Sequence, residues 1–287
     1  MWHWFINLIL TLILMRTNTS VLVNDNIKVI KLNPNAPEIS ILADKSAVLS
    51  ADDRVFLFDK KSDEVQPIAS ISKLMTALVF LDNNPGWDTT YIITDADKIE
   101  GGKLNLFSGE EIKLRDIFET SLIASDNGAT MALVHASGLS EKEFIQEMND
   151  KAAHLRLLKT KFIDATGLSD DNVSTAREVA LLAKEALAHP EIASATESKG
   201  YNFTTVNGRE KTIESTDYLL FDSEKNSFQV IGGKTGYTDK AGYCFVGRFK
   251  DASGREIISV VLNSGGKNDR FKESKNLVNW VFDNYQW

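Results

Sequence analysis

The spacing of apolar residues changes along the chain, and each spacing predicts a different element. Two short apolar runs, Ala47–Leu49 and Val55–Phe58, are separated by a polar segment at 50–53, which predicts a β-hairpin. From residue 70 to residue 81 the apolar positions recur every three or four residues, which predicts a buried helix. The fold is therefore expected to begin with a hairpin and a buried helix.

The middle of the chain has helical spacing. Leu114–Leu122 and Ala129–Ala136 form two apolar stretches of helical period, and the turn-forming residues 125–128 interrupt them. Ser140 and Thr175 each begin a Ser/Thr-x-x-Glu pattern, which predicts a capping box at the start of a further helix. A block of several helices is expected here.

After about Gly200 the pattern becomes strand-like. Phe228–Ile231, Tyr243–Phe249 and Ile257–Leu262 are short runs rich in β-branched and aromatic residues. A final apolar periodicity over Phe271–Tyr285 predicts a closing helix.

Strands at both ends of the sequence, with helices between them, predict an α/β fold of the α+β type. One mainly antiparallel sheet would be built from both chain ends, with helices packed on it and the middle block inserted as a helical lobe. The polar residues 25–45, which include two prolines, are predicted to be a connector, and 46–287 the folded domain.

The first 24 residues have a different character. Trp2–Met15 is mostly apolar and ends abruptly at Arg16. About 14 residues is short for a membrane span of roughly 20 but suits the apolar region of an export signal. Residues 1–24 are therefore predicted to be a signal peptide or N-terminal anchor, with a buried first helix as the alternative. No basic residue precedes the run and no Ala-x-Ala-like site follows it, so the sequence does not decide between a cleaved signal peptide and a retained anchor.

Composition excludes two classes of function. The chain carries 40 acidic against 32 basic residues, a net charge of -8, and so lacks the basic surface that nucleic acid requires. It has one cysteine, Cys244, and four scattered histidines, which give neither a disulfide nor a metal-ligand cluster. No metal site and no cofactor are predicted.

Ser70 and Lys73 form a Ser-x-x-Lys motif at the start of the predicted apolar helix. Residues three apart on a helix share a face, so the lysine can take the proton of the serine hydroxyl if burial lowers its pKa. A helix-capping serine beside a solvated lysine is the alternative. A second match, Ser264 to Lys267, follows a predicted strand in a loop, where nothing would hold both side chains on one face.

Ser125-Asp126-Asn127 is the second motif and lies at the break between two helical stretches. A turn there can present Ser125 and Asn127 on one side, with a hydroxyl to relay a proton and an amide to hold a peptide group. Simple helix capping is the alternative.

Lys234-Thr235-Gly236 is the third motif and follows the predicted strand Phe228–Ile231. A phosphate-binding loop is excluded because its earlier glycine would fall at Phe228 and because such a loop begins a helix. A lysine and a threonine along a strand edge would instead bind a carboxylate, and the following N–H groups would stabilise an oxyanion.

The three motifs, in this order, resemble the signature of penicillin-binding proteins and class A β-lactamases. The stretches Pro67–Ala77, Phe162–Leu168 and Gly233–Thr238 are similar to low-molecular-mass D-alanyl-D-alanine carboxypeptidases, peptidase S11-like, over Ser46–Trp287. The resemblance implies a β-lactamase/transpeptidase-like fold with a five-stranded sheet, and a D,D-peptidase (penicillin-binding) domain over 46–287. It implies peptidoglycan peptides ending in D-Ala-D-Ala as substrate, β-lactams as covalent inhibitors, and a place in the periplasm or on the extracytoplasmic face of the envelope.

The resemblance also implies roles for individual residues. It implies that the catalytic residues are Ser70, Lys73 and Ser125. It implies that the substrate-binding residues are Asn127, Lys234, Thr235, Gly236, Tyr237 and Arg270. Ser70 would attack the carbonyl between two D-alanines, Lys73 would be its base, and Ser125 would help to pass the proton to the departing D-alanine. The N–H groups of Ser70 and Tyr237 would form the oxyanion hole.

The remaining residues would position the substrate. Asn127 would hold its backbone, and Lys234 with Thr235 would bind its terminal carboxylate. The charge of Lys234 would also depress the pKa of Lys73. Arg270 is implied near the carboxylate, and a solvated residue at the helix start is the alternative for it.

Three other readings accompany the carboxypeptidase. The first is the endopeptidase branch of the family, which is resembled more closely by Thr166–Leu168 and the following Asn172–Arg177. Relatives often have an Asn-Thr-Asn-like stretch where this chain has Ser215–Asp217. A class A β-lactamase would need a glutamate in a Glu-x-x-x-Asn setting, but 162–172 contains aspartates and no glutamate. A non-catalytic peptidoglycan-binding protein that kept the fold is the third reading.

Overall fold

The computed structural model describes residues 29–33, 37–52, 55–99, 101, 104–225 and 227–287. The predicted signal or anchor at 1–24 lies outside these residues. Within the described part, no helix is both long enough and apolar enough to cross a membrane.

The strands of the described residues are, in chain order, β1 (Ile30–Lys31), β2 (Lys45–Ser50), β3 (Phe56–Lys60), β4 (Gln66–Pro67), β5 (Thr90–Ile92), β6 (Glu111–Lys113), β7 (Val173–Ser174), β8 (Gly200–Thr204), β9 (Glu210–Glu214), β10 (Phe228–Thr238), β11 (Gly242–Asp251), β12 (Glu256–Ser264) and β13 (Tyr285–Gln286). The α-helices are α1 (Lys73–Asp82), α2 (Leu114–Ile123), α3 (Asn127–Ala136), α4 (Glu141–His154), α5 (Ala176–Ala186), α6 (Pro190–Glu197) and α7 (Asp269–Asn284). Short 3-10 helices occur at Ala69–Ser72, Asp95–Asp97 and Tyr218–Lys225.

One antiparallel five-stranded sheet forms the centre of the molecule, in the order β10-β11-β12-β2-β3. Strand β2 comes from the start of the fold and β12 from its end, and they pair with Val260 opposite Ala47. The predicted antiparallel sheet built from both chain ends is confirmed. The helices α2, α3 and α4 form the predicted helical block between the two groups of strands.

Alternating residues of β2 separate the two sides of the core. Ala47 and Leu49 belong to a large apolar cluster that includes α1 and α5, whereas Val48 belongs to a second cluster that includes α7. Because successive strand residues face opposite sides of a sheet, helices cover both faces. The apolar α1, with eight of its ten residues buried, lies in the first cluster.

Two elements that carry predicted site residues have other bounds in the structure than the sequence predicts. The predicted helix from Ser70 begins as the 3-10 helix Ala69–Ser72, and α1 starts only at Lys73. Strand β10 does not stop before the Lys-Thr-Gly motif but runs through it to Thr238, with a register shift between Val230 and Gly233. The third motif is therefore part of a strand at the edge of the sheet.

The two predicted capping boxes have different outcomes. The Ser140 box is complete, with side-chain and backbone groups of Ser140 and Glu143 bonded reciprocally. Thr175 does cap Glu178 N–H, but the Glu178 carboxylate accepts from Lys159 N–H and the Thr160 hydroxyl instead of closing the box. Both residues nevertheless mark helix starts as predicted.

The segment expected to be a connector packs against the domain. Ile41 and Ala43 are buried in the α7 side of the core, and β1 pairs with β13 at the other end of the chain. The Glu273 carboxylate on α7 accepts hydrogen bonds from the N–H groups of Leu42 and Ala43, at 2.5 and 2.9 Å. Residues before Ser46 thus contribute to the folded unit.

Candidate active site

Ser70 and Lys73 are held in contact by a sharp turn ahead of α1. Ala69 adopts a left-handed backbone conformation with φ of +48°, and the Ser72 hydroxyl donates back to Ala69 O. Lys73 Nζ lies 3.0 Å from Ser70 Oγ. The two side chains are therefore in hydrogen-bond contact, and the alternative of a solvated Lys73 is wrong because this residue is only 1% exposed.

Lys73 makes two further hydrogen bonds that fix its position. Its Nζ donates to Asn127 Oδ1 at 2.7 Å and to Thr166 O at 2.6 Å. Burial lowers the pKa of Lys73 to about 7, against the smaller opposing effects of the Asp126 and Asp164 carboxylates. A lysine with this pKa is partly neutral near pH 7 and can accept a proton from the serine hydroxyl.

The second motif is presented by the junction between α2 and α3. Ser125 has a left-handed backbone with φ of +58°, while Asp126 caps α3 by accepting from Ala129 N–H. Asp126 also accepts two hydrogen bonds from Asn105. Capping therefore explains Asp126, whereas Ser125 is left half-buried at the groove and Asn127 contacts Lys73.

The loop at 162–172 packs against the nucleophile turn. Asp164 accepts from the N–H groups of Thr166, Gly167 and Ser169, which lie at 2.6 to 2.7 Å. Burial alone would raise the pKa of Asp164, but a hydrogen bond from the Thr166 hydroxyl and these backbone hydrogen bonds outweigh it and lower the pKa. Its oxygens are thus occupied by the loop itself, and this stretch offers no glutamate of the kind that a class A β-lactamase uses.

Gly167 brings this loop into direct contact with the turn. It has a φ of +86°, and a Cβ built on it would lie 2.0 Å from Ala69 O and 2.8 Å from Ser70 N. No other residue type fits such an approach without displacing the backbone. The close packing places Thr166 O where it accepts from Lys73.

Strand β10 passes the nucleophile on its other side. A Cβ built on Gly236 would lie 2.8 Å from Ile68 O and 3.2 Å from Ser70 N, so glycine allows the strand to approach closely. Tyr237 follows directly on this strand, half-exposed and stacked on Tyr243 with ring centroids 4.4 Å apart. This arrangement brings the two predicted oxyanion donors, Ser70 N–H and Tyr237 N–H, to neighbouring backbone segments.

Lys234 lies behind the strand surface, with 1% exposure, and donates to Thr235 O at 3.2 Å. Burial, followed by the charges of Lys73 and Arg270, lowers the pKa of Lys234 well below its usual value. The charge of Lys73 thus acts on the pKa of Lys234, whereas the predicted effect of Lys234 on Lys73 is not found: burial lowers the pKa of Lys73, and the charges of Asp126 and Asp164 oppose it.

Arg270 is a buried part of the site. Its Nη1 donates to Gly236 O at 3.0 Å and to Cys244 O at 3.3 Å, and the side chain reaches the groove from the start of α7. With the residue only 4% exposed, the alternative of a solvated helix-start residue is wrong. The Thr235 hydroxyl, 2.7 Å from that of Thr216, lies in the same groove.

Asp217 belongs to this cluster although sequence reasoning gave it no role. Its residue is 3% exposed, Oδ1 accepts from Leu219 N–H, and Oδ2 has no hydrogen-bond partner among the described residues. Burial raises the pKa of Asp217 to about 7, against that hydrogen bond and the charges of Arg270 and Lys234. The only sequence signal was its place in Ser215-Thr216-Asp217.

An open groove of about 750 Å³ joins these elements. Predicted site residues that line it are Ser70, Ser125, Asn127, Thr235, Gly236, Tyr237 and Arg270. The two remaining predicted residues, Lys73 and Lys234, are not in the lining and lie just beneath it. All three motifs are therefore brought to one site.

Comparison with known proteins gives the family of the chain. Residues 31–266 match the Peptidase S11 family model, described as D-alanyl-D-alanine carboxypeptidase. The chain is 35% identical to a D-alanyl-D-alanine endopeptidase of Haemophilus influenzae, over 75% of this chain and 74% of the relative. It is 29% identical to the Escherichia coli D-alanyl-D-alanine endopeptidase, over 86% of this chain and 79% of the relative.

Solved structures of penicillin-binding proteins have a similar fold. Penicillin-binding protein D2 of Listeria monocytogenes, in its ampicillin-bound form, matches with a TM-score of 0.73 and 34% identity, over 86% of this chain and 99% of that one. The predicted fold family is confirmed. The chain belongs to the Peptidase S11 family of D-alanyl-D-alanine carboxypeptidases.

Proposed function

We propose that this protein hydrolyses peptidoglycan stem peptides ending in D-Ala-D-Ala through an acyl-enzyme on Ser70, and that β-lactams acylate the same serine. The observation that carries the proposal is the buried Lys73 amine 3.0 Å from the Ser70 hydroxyl, at the floor of an open groove. Family membership and the ampicillin-bound relative support the same chemistry.

Acylation begins with proton transfer from Ser70 to Lys73. Neutral Lys73 takes the hydroxyl proton while Ser70 Oγ bonds to the carbonyl carbon between the two D-alanines. The carbonyl oxygen becomes an oxyanion, which the N–H groups of Ser70 and Tyr237 stabilise. Loss of one such donor typically costs about 3 to 4 kcal/mol of transition-state stabilisation.

Collapse of the tetrahedral intermediate releases the terminal D-alanine. The proton held by Lys73 passes through the Ser125 hydroxyl to the departing nitrogen, and the C–N bond breaks. Asn127 keeps Lys73 in place through its Oδ1 while its side chain also borders the substrate groove. Water then attacks the ester, which frees the shortened peptide and restores the Ser70 hydroxyl.

The terminal carboxylate of the substrate is bound by Lys234, Thr235 and Arg270. In the free protein, burial lowers the pKa of Lys234, and the positive charges of Lys73 and Arg270 lower it further. An incoming carboxylate favours the charged form of Lys234 and forms charge-assisted hydrogen bonds with the cluster. This local positive site serves an otherwise acidic protein.

We further propose that the protein works outside the cytoplasm, with residues 1–24 as its signal peptide or anchor. The relatives named D-alanyl-D-alanine endopeptidases support cleavage of D-alanyl cross-links as well as release of D-alanine. Both reactions use the same serine and differ in the length of the leaving group.

The test compares the wild type with Ser70→Ala. The wild type should be labelled covalently by a fluorescent penicillin and should release D-alanine or cut D-Ala cross-links, while Ser70→Ala should do none of these. Mass spectrometry of digested peptidoglycan identifies the bond that is cut. A wild type that stays unlabelled and inactive would instead indicate a binding protein, and rapid turnover of a chromogenic cephalosporin would indicate a β-lactamase.

A further inference from the structure

The substrate groove does not end at the carboxylate cluster. Tyr218 and Lys267 line the same groove as Arg270 and Thr216. We propose that Lys267 and Tyr218 form a subsite for the leaving part of the substrate, which takes a second anionic group on a leaving peptide longer than free D-alanine. The inference rests on the proposed function and names the substrate class for this end of the groove.

The two side chains form a preorganised pair. Lys267 Nζ donates to the Tyr218 hydroxyl at 2.8 Å and lies 4.9 Å from the centre of its ring. The Tyr218 ring packs on Phe271 with centroids 5.5 Å apart, and Phe271 in turn packs on Phe245 in β11. Although Tyr218 is 42% exposed, its ring is therefore held against the core.

Lys267 keeps its charge available for a ligand. The side chain is exposed, and no carboxylate of the described residues lies within ion-pair distance of it. Its protein partner is a hydroxyl, which does not neutralise the ammonium group. Tyr218 can at the same time donate its own hydroxyl proton, so an anion at this point meets two donors.

The position of the pair relates it to the leaving group. The C-terminal D-alanine is the residue that departs, so the groups that bind its carboxylate mark the leaving-group side of the scissile bond. Lys267 lies three residues before Arg270, in the turn ahead of α7, and Tyr218 lies two residues after Thr216. Free D-alanine ends at the carboxylate cluster, whereas the leaving strand of a cross-link continues along the groove.

Negative charge elsewhere in the groove limits what can bind there. Glu214, at the end of β9, lines the same groove and is exposed. The end of the groove is thus not uniformly cationic, and a leaving peptide with a carboxylate at Lys267 would place a neutral or cationic group toward Glu214. A cross-linked stem peptide has this chemistry, because the nitrogen that joins its two strands is a neutral amide until the bond is cut.

The test uses two substrates with each variant: a stem pentapeptide that loses D-alanine and a purified cross-linked dimer. Lys267→Met should lower kcat/KM for the dimer about tenfold, as expected for the loss of one charge-assisted contact, and change that for the pentapeptide less than about twofold. Lys267→Arg should retain activity on the dimer. Lys272→Met, which removes an exposed charge from α7, is the matched control and should change neither reaction.

The outcomes separate the subsite from the proposed function. Equal loss on both substrates, no loss on either, or a wild type that cuts the pentapeptide but not the dimer would each overturn the subsite. A wild type that neither binds fluorescent penicillin covalently nor cuts either substrate would overturn the proposed function itself. Penicillin labelling of Lys267→Met at the wild-type rate shows that the variant is folded and its acylation machinery intact.

Discussion

Lys73 shows how burial converts an ordinary side chain into a base. A solvated lysine is almost fully protonated at pH 7, but Lys73 is 1% exposed and its pKa is lowered to about 7. Its three acceptors, Ser70 Oγ, Asn127 Oδ1 and Thr166 O, come from three separate parts of the chain. The tertiary fold therefore sets the proton affinity of this group.

The rate of acylation should follow the ionisation of Lys73. Only neutral Lys73 can accept the Ser70 proton, so the second-order rate constant for penicillin acylation should rise from pH 5 and level off above about 7. At pH 5 only about one molecule in a hundred would carry the neutral amine, given a pKa near 7. Stopped-flow acylation across this range measures the profile.

Two observations check the assignment. Lys73→Arg keeps a cation that cannot lose its proton, so above pH 7 this variant should be acylated at least about a hundredfold more slowly than the wild type, at a rate that does not rise between pH 5 and 8. A wild-type profile that stays flat between pH 5 and 8 would contradict a role for Lys73 as the base.

At the residue scale, sequence spacing predicted the chemical partners better than their surroundings. Ser70 and Lys73 could be paired because three residues span one turn. The acceptor Thr166 O could not be predicted, because a backbone carbonyl has no residue-type signature and its loop lies about ninety residues away in the chain. Asp217 was missed for a similar reason, since its burial depends on its position beside Gly233 of β10, which is distant from any pattern in the sequence around it.

At the element scale, the loop at 162–172 acts as a brace for the nucleophile turn. Asn172 is fully buried, and its amide donates to Ser72 Oγ and to Asp164 O, which ties the turn and the loop together. The sequence predicted neither this brace nor the 3-10 start of α1. Apolar periodicity detects which residues face the core, but it does not distinguish a 3-10 turn from the first turn of an α-helix.

Gly167→Ala should weaken this brace. The added Cβ would meet Ala69 O at 2.0 Å on a backbone with φ of +86°. The clash and the left-handed conformation together should lower the free energy of unfolding by roughly 3 kcal/mol, and penicillin acylation should slow because Lys73 loses its fixed contact with Thr166 O. Urea unfolding and acylation kinetics measure the two effects.

Gly208→Ala provides the matched control. Gly208 has nearly the same φ, +85°, but a Cβ there would have no atom within 4 Å. It should cost only about 1 kcal/mol, from backbone strain alone, and leave acylation unchanged. If the two substitutions cost the same, the close approach to Ala69 does not hold the turn.

On the scale of the whole molecule, strands from the beginning and the end of the described part of the chain pair with each other. Strand β2 pairs with β12, and β1 pairs with β13. Strand patterns at both ends of the sequence, with a helical block between them, were sufficient to predict one sheet built from both ends. Pairing of the segment before Ser46 could not be predicted, because it is polar and irregular and its stability depends on partners at the far end of the chain.

A chain that starts at Ser46 should be less stable than one that starts at residue 29. It would lose the buried Ile41 and Ala43, and Glu273 would lose two N–H donors while keeping the Ser264 hydroxyl. The lost burial of the apolar side chains and the unsatisfied Glu273 carboxylate together should lower the free energy of unfolding by roughly 3 to 5 kcal/mol. Urea unfolding of the two chains measures the difference.

Removal of the segment before Ser46 should also affect the active site, because Glu273 and Arg270 lie one turn apart on α7. A start of α7 that loosens would move Arg270 from its contact with Gly236 O, and so weaken binding of the substrate carboxylate. Glu273→Gln in the longer chain is the control, since it keeps the length of the side chain but removes its charge. Equal urea midpoints for the two chains would mean that the segment before Ser46 packs on the domain without stabilising it.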